Sequence, residues 1–282
     1  MALQLAMPVT DLAVLGPDSL PALAALCARS MAAPPHEAEL AHALFATDQP
    51  AVIHGDPDIG IVATVAGDSG AHIRLLTVDP ARRRQGYGHL LVDAAEHDAR
   101  SGGHTTLTTG ADPPYFLWPG VPSTDTAMLS LFERRHYKRV SAHFDMHVPL
   151  TDIPADPGGC RMAVAADRDG LEAWATNHWP NWRPEIVRAV DKGNLAVADD
   201  DRGISAVCAF EVNRQGLLGP VAVRPDLIGK GAGRSVLLGA LHELRRRGHD
   251  SIDITWVGPV PPYAAIGGTV SSIYFVYRRT LR

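Results

Sequence analysis

Apolar positions along this chain alternate between longer stretches with a period near 3.6 and short runs that read as strands. Residues 20–32 repeat Leu and Ala at helical spacing, with Asp18 and Ser19 as candidate caps, and 36–45 resumes the pattern after Pro34 and Pro35. Runs at 51–53 and 59–66 predict paired strands around the turn at 54–58. Ile73, Leu75, Leu76 and Val78 then form a covered strand that Pro80 ends, since proline brings no N–H to a ladder. After a glycine loop, Leu90, Leu91, Ala94 and Ala95 mark a helix closed by Gly102 and Gly103. A strand at 105–109, a proline-rich stretch at 110–125, a helix at 127–135 and a strand at 140–148 follow. The stretch at 110–125 carries Tyr115, Phe116 and Trp118, and it either walls a ligand channel or seals the sheet.

The same order then recurs. A strand at 161–165, helices at 171–177 and 184–190, strands at 194–198, 204–212 and 217–223, a loop and long helix, a strand at 252–256, a helix near 261–267 and a strand at 272–278 complete the chain. Adding 145 to the numbers of the first strand–loop–helix unit maps Val78 onto Val223, Pro80 onto Pro225, Gly86 onto Gly231, Gly88 onto Gly233 and Gly103 onto Gly248 without a gap. A repeat of that length means two copies of a domain. The segment TDIPADPGG at 151–159 reads as the linker between domains 1–150 and 160–282, each α/β.

Length fits that reading, because 282 residues suit two domains. With 26 Lys and Arg against 31 Asp and Glu, the net charge of −5 speaks against nucleic acid or a membrane surface as a general partner. No run approaches the ~20 apolar residues of a membrane helix. The N-terminal MALQLAMPVTDLAVL has no basic region and holds Asp11 in its apolar run, so it is read as no export signal and the protein is expected to be cytoplasmic. Cys27, Cys160 and Cys208 are scattered and read as reduced structural thiols. His143, Asp145 and His147 share one face of a strand but lack a fourth ligand, so no metal is expected.

The loop between Val78 and the following helix holds Arg82, Arg83, Arg84, Gln85, Gly86, Tyr87 and Gly88. Unpaired N–H groups at a positive helix start, glycines that admit close approach and flanking arginines together suit a pyrophosphate. A dinucleotide fingerprint is excluded because Leu91 stands where a glycine is required, and no Gly-Lys-Ser or Gly-Lys-Thr ending occurs.

The pattern Val-x-Pro-x-x-Arg-x-x-Gly-x-Gly, at Val78, Pro80, Arg83, Gly86 and Gly88, resembles the acyl-CoA motif of the GCN5-related N-acetyltransferases (GNAT), and the chain resembles a tandem member. The resemblance implies two GNAT-like domains, each a mixed, mostly antiparallel sheet with a central parallel strand pair, flanked by helices. It implies acetyl-CoA as acyl donor, held by Val78, Arg83, Arg84, Gln85, Gly86, Tyr87, Gly88 and His89 in the first domain. The second-domain set is Val223, Gly229, Lys230, Gly231, Ala232, Gly233 and Arg234. The family's general acid, a tyrosine in a Tyr-x-x-x-Gly setting, maps onto Tyr263 with Gly267, whereas the first domain has Phe132 there. Tyr137, next along, falls at an aromatic core position. Glu211 is the candidate base, with an exposed strand-edge role as the alternative. His178, Trp179 and Trp182 lie where the family borders its acceptor.

A lysine-like amine has a pKa near 10.4, so its neutral form at pH 7 costs about 4.6 kcal/mol, and a base can matter. A departing thiolate suits a tyrosine donor. The expected activity is acetyl transfer to a small-molecule amine, by a monomer (an internal pseudo-dimer) or a homodimer. The alternative is a non-catalytic acyl-CoA-binding sensor or scaffold, because Ile228 replaces Arg83 in one loop and Phe132 replaces the tyrosine in the other half.

Overall fold

The computed structural model describes residues 12–67 and 70–281. Its elements in chain order begin with α1 (Leu20–Ser30), α2 (Glu37–Phe45), β1 (Val52–Asp56), β2 (Gly60–Gly67), β3 (Gly70–Val78), α3 (Tyr87–Ser101), β4 (Thr106–Thr109), β5 (Val121–Pro122), α4 (Thr126–Arg134) and β6 (Lys138–Pro149). The second half adds β7 (Arg161–Met162), α5 (Arg168–His178), α6 (Arg183–Asp191), β8 (Leu195–Asp200), β9 (Gly203–Phe210), β10 (Leu217–Val223), α7 (Ala232–Arg246), β11 (Ser251–Ile254), α8 (Val260–Ala264) and β12 (Thr269–Thr280). The N-terminal stretch read against an export signal lies outside the described residues as far as position 11. No described helix is long and apolar enough to cross a membrane. Asp18 and Ser19 do not cap α1. They belong to a short turn at Pro17–Ser19, Ser19 is already in the helical region, and its side chain makes no cap bond.

Folded units and sequence repeats divide the chain differently. One compact unit runs to His143 and adds the residues from Tyr274 onward, and the other is Phe144–Ile273. The expected halves 1–150 and 160–282 describe the repeat, whereas each repeat's last strand finishes in the other unit. The reason is pairing. β4 needs an antiparallel neighbour and finds it in β12, with Arg278 opposite Thr108, while β11 finds it in β6, with Ile254 opposite Met146.

In the first unit the strand order is β1-β2-β3-β4-β12, with β5 also on β12; in the second it is β6-β11-β10-β9-β8-β7. Among the described residues only β3–β4 and β10–β11 pair in parallel. Each unit is thus the mixed, mostly antiparallel α/β sheet with a central parallel pair that the resemblance implied. Period-two alternation sorts the side chains onto two faces. Ile53, Ile61, Ala63 and Leu75 lie under α1 and α2, whereas Val62, Ala71, Ile73 and Leu76 lie under α3. In the second unit Val197, Val207 and Ala209 lie under α5 and α6, and Ala196, Ala206 and Cys208 under α7. The three thiols are unbridged.

β12 closes the first unit. Tyr277 is fully buried, stacks on Phe132 at 5.9 Å, and its N–H donates to the Thr109 hydroxyl at 3.0 Å. Tyr277→Ala should therefore cost roughly 3–5 kcal/mol. A chain ended after Ile273 should lose the cooperative thermal transition of the first unit while retaining that of the second, read by circular dichroism.

Candidate active site

Strand, loop and helix meet in the same way in both units. Asp79 follows β3, accepts from the Ala81 N–H at 2.8 Å and so shapes the turn at Pro80–Arg82. The chain then enters the left-handed region at Arg84 and at Gly86, with φ of 63° and 94°, before α3 begins at Tyr87. In the second unit Gly229 and Gly231 hold the corresponding conformations, with φ of 81° and 97°. A glycine at 229 removes the strain that Arg84 bears.

The outcome is an array of unpaired donors. Among the described residues, the N–H groups of residues 84–88 make no hydrogen bond, and neither do those of Gly229, Gly231, Ala232 and Gly233. Lys230 differs, since its N–H donates to the Leu227 carbonyl. Both loops fit the phosphates of an acyl-CoA, the first with the side chains of Arg84, Tyr87 and His89 alongside, the second with Lys230 and Arg234. Gln85 is turned back, donating from Nε2 to the Ala81 carbonyl. Burial and the neighbouring Arg135 lower the His89 pKa, which keeps that ring neutral at pH 7. Gly88 and Gly233 are set by packing. A Cβ at these positions would meet Leu131 at 3.1 Å and Val223 at 3.0 Å.

Arg83 does something other than offer its charge to phosphate. Its Nε donates to the Val78 carbonyl at 3.1 Å and its Nη2 to the Ser30 carbonyl at 2.9 Å, tying the strand end to the end of α1. Ile228 cannot do this. In the second unit the equivalent carbonyl, that of Val223, accepts from the Trp179 indole N–H at 2.9 Å, and Trp179 follows α5 directly. Trp179 also stacks on Trp182 at 4.9 Å. The loss of the loop arginine is thus compensated from the helical side.

Upstream of each loop the parallel strands separate. The rungs of β3 and β4 end at Ile73 opposite Thr109, and those of β10 and β11 end at Leu218 opposite Ile254. At that level each central strand inserts an extra residue relative to its antiparallel partner, between the 64–73 and 63–75 rungs in one unit and between Leu218 and Val221 in the other. A bulge redirects side chains. In the first unit the inserted residue is Arg74, 0% exposed, whose Nε donates to the Asp112 carboxylate and whose Nη1 donates to the carbonyls of Ala43 and Gln49. Tyr115 lies 4.7 Å from this guanidinium and donates its hydroxyl to Asp48 at 2.6 Å. The stretch at 110–125 therefore seals this side of the sheet around a buried ion pair. At the positions matching Arg74 and Asp112 the second unit has Gly219 and Val257, which cannot form such an ion pair.

Tyr263, on α8, is 9% exposed and packs in the α7-side core. Burial, with Cys208 nearby, pushes its pKa up to about 12, so the hydroxyl stays protonated across the neutral range. Among the described residues that hydroxyl makes no hydrogen bond. The first unit has nothing comparable. Phe132 is core, and the Tyr137 hydroxyl donates to Glu96 at 3.2 Å. Glu96 also accepts from Arg135, Arg100 and Arg279.

Glu211 is not placed as a strand-borne base, nor as an exposed strand edge. β9 ends at Phe210, and Glu211 turns with φ 49°. Its carboxylate accepts from the Gly216 N–H at 2.9 Å and faces His249 Nε2 at 3.1 Å, closing the loop before β10. Among the described residues no group of three or more His, Cys, Asp or Glu could hold a metal ion. His143 contacts Ser141 and His147 pairs with Asp253 at 3.0 Å.

Residues 33–114 match the Acetyltransferase (GNAT) family. The chain carries a GNAT domain. Over nearly its whole length it has the fold of tandem GNAT structures. It is similar to the GCN5-related glucosamine N-acetyltransferase region of a fungal multi-domain GH3 β-N-acetylglucosaminidase, with a TM-score of 0.76, 22% identity and 95% of this chain covered, although it spans only 38% of that protein. The GCN5-related N-acetyltransferase of Sphaerobacter thermophilus gives 0.74 and 20% identity, covering 96% of this chain and 95% of the other. A tandem GNAT protein of the clavulanic acid biosynthesis pathway gives 0.73 and 17%, covering 96% and 98%. No curated protein matches the chain in sequence.

In this chain, with the fold of tandem GNAT structures, the tie at the strand end makes a specific prediction. Trp179→Phe keeps the stacking ring but leaves the Val223 carbonyl unpaired, at a cost of about 1–3 kcal/mol to the second unit. Adding Ile228→Arg should restore part of that loss in chemical denaturation, by the route Arg83 takes in the first unit.

Proposed function

We propose that the chain is an acetyl-CoA-dependent N-acetyltransferase for a small-molecule amine, and that the second unit carries the transfer. The observation that carries this reading is Tyr263. It is a protonated hydroxyl on a largely buried side chain, without a hydrogen-bond partner among the described residues, in the unit whose parallel strands separate around Gly219 and Pro220 rather than around a buried ion pair. Acetyl-CoA supplies a thioester carbonyl. The N–H groups of Gly229, Gly231, Ala232 and Gly233 would hold its phosphates, with Lys230 and Arg234 adding charge. Tyr263 would hydrogen-bond the departing sulfur and donate its proton to it, a transfer that desolvation of the thiolate assists by raising its basicity above the roughly 8.5 of the free thiol.

The non-catalytic reading fits the first unit. Its loop offers five consecutive unpaired N–H groups, but Phe132 has no proton to give, and Arg74, Asp112 and Tyr115 occupy the inserted position. That unit would bind acyl-CoA, or serve as a scaffold, without transfer. Glucosamine enters the acceptor panel because of the activity named for the similar fungal region.

Free thiol released from acetyl-CoA with glucosamine, spermidine or tyramine tests the proposal. Tyr263→Phe should lower kcat roughly 10²-fold while acetyl-CoA binding stays within a factor of three. Gly231→Glu should abolish turnover, and Gly86→Glu should leave it. The opposite pattern for the two glutamates would move the transfer to the first unit, and silence with every amine would favour the non-catalytic reading for the whole chain.

A further inference from the structure

Resting on that reading, we infer that Asp145 takes the proton from the acceptor ammonium, acting from the opposite face of the sheet to Tyr263. Neighbours on β6 fix where it points. Met146 and Val148 enter the α7-side core that also contains Tyr263, so Asp145 and His147 project to the face covered by α5 and α6. Its position along the strand is equally defined. Met146 lies opposite Ile254, the residue of the last β10–β11 rung, so Asp145 stands one residue beyond the point where those strands part. Its Oδ1 accepts the Trp256 N–H at 3.0 Å, which holds the carboxylate at the gap. Trp256 has a φ of 51°, the conformation that turns the chain away from β10.

The side chain is 7% exposed, and burial, with Asp253 nearby, pushes its pKa up to about 6, against the opposing pull of the Trp256 N–H and Arg214. The groups that face it are Asp253 on β11, Arg214 in the turn before β10, and His147 two residues along its own strand, itself paired with Asp253. A carboxylate at about 6 lies closer to an amine than an ordinary one does, yet is ionised at pH 7.

The proton balance is complete with these two residues. Asp145 accepts one proton from the ammonium. The freed nitrogen lone pair forms the N–C bond to the acetyl carbonyl carbon, and the C–S bond breaks with its electron pair on sulfur. Tyr263 protonates that sulfur, the second proton lost by nitrogen passes through solvent to restore Tyr263, and Asp145 gives its proton up to solvent. Ammonium and thioester become amide, thiol and one released proton.

The test uses the full chain, acetyl-CoA and whichever of glucosamine, spermidine or tyramine gives the fastest thiol release, from pH 5 to 9.5. Asp145→Asn retains an oxygen for the Trp256 N–H, so the fold is preserved. It should lower kcat/KM at least ~10²-fold and abolish the acid limb near pH 6, with acetyl-CoA affinity unchanged by calorimetry. Asp145→Glu should recover part of the rate and restore the limb. Glu185, a second buried carboxyl whose pKa burial raises to about 7, is the control, and Glu185→Gln should leave the acid limb in place.

A second readout needs no turnover. Because the folded pKa lies above the unfolded value, Asp145 contributes stability that is full below about pH 4 and is lost as pH rises through about 6. The Tm of Asp145→Asn relative to wild type should therefore rise between pH 4.5 and 7.5. Activity of Asp145→Asn within threefold of wild type, or an unchanged acid limb, overturns the inference. Loss of acetyl-CoA binding in that variant would show a structural role and overturn it too. If wild type releases thiol with no amine, the transferase reading itself fails and this inference falls with it.

Discussion

Each unit is organised around a parallel strand pair that is allowed only two or three rungs. Beyond Ile73 and Thr109, and beyond Leu218 and Ile254, the backbone groups of the central strand no longer find their parallel neighbour. A single inserted residue on the central strand produces this, because it shifts the ladder and swings the strand away from its partner. The loop of unpaired N–H groups stands at the end of the same strand. One local irregularity therefore aligns an opening between strands with an anion cradle, and α3 or α7 starts where the cradle needs a positive end.

What fills the inserted position differs, and the neighbouring sequence follows from the filling. Arg74 places a guanidinium in the interior, which is costly unless its donors are met. Asp112 meets Nε, the carbonyls of Ala43 and Gln49 meet Nη1, and the Tyr115 ring lies against the guanidinium, so that all but Ala43 and Gln49 come from the stretch at 110–125. Gly219 and Pro220 bring no charge, and the second unit joins β11 to α8 with only residues 255–259 between them. The long aromatic stretch of the first half is thus the shell of one buried arginine.

The sequence displayed those features that are encoded in backbone chemistry. Gly86, Gly88, Pro80 and their copies at a spacing of 145 mark turns that only certain residues accept, so the repeat, the loops and the element order were all readable. Strand partnership was not. Period two tells which face a residue takes and nothing about which strand lies beside it, so the exchange of β6 and β12 stayed hidden. Glu211 misled because the apolar run of 204–212 continues past it, whereas the chain has already turned at that residue. Asp145 shows in the sequence only as one of three polar residues on a strand face where no metal is expected, since alternation along a strand does not reveal that its level is where another strand pair opens. Arg74 within the apolar run of β3, set against Gly219 in the repeat, was the one visible sign of the difference between the halves.

A departure from a motif is best weighed by the group it leaves unpaired. The carbonyls of Val78 and Val223 end strands whose neighbours have already diverged, so each must find a donor outside the ladder. In the first unit that donor is Arg83 from the loop, which also holds the end of α1; in the second it is the indole of Trp179, just past α5. Both solutions couple the strand end to the end of the first helix of the unit. Ile228 is therefore no sign of a decayed loop. The arginine at that point serves the strand, its service has passed to another side chain, and the array of N–H groups beyond it survives except at Lys230, whose N–H turns back to Leu227.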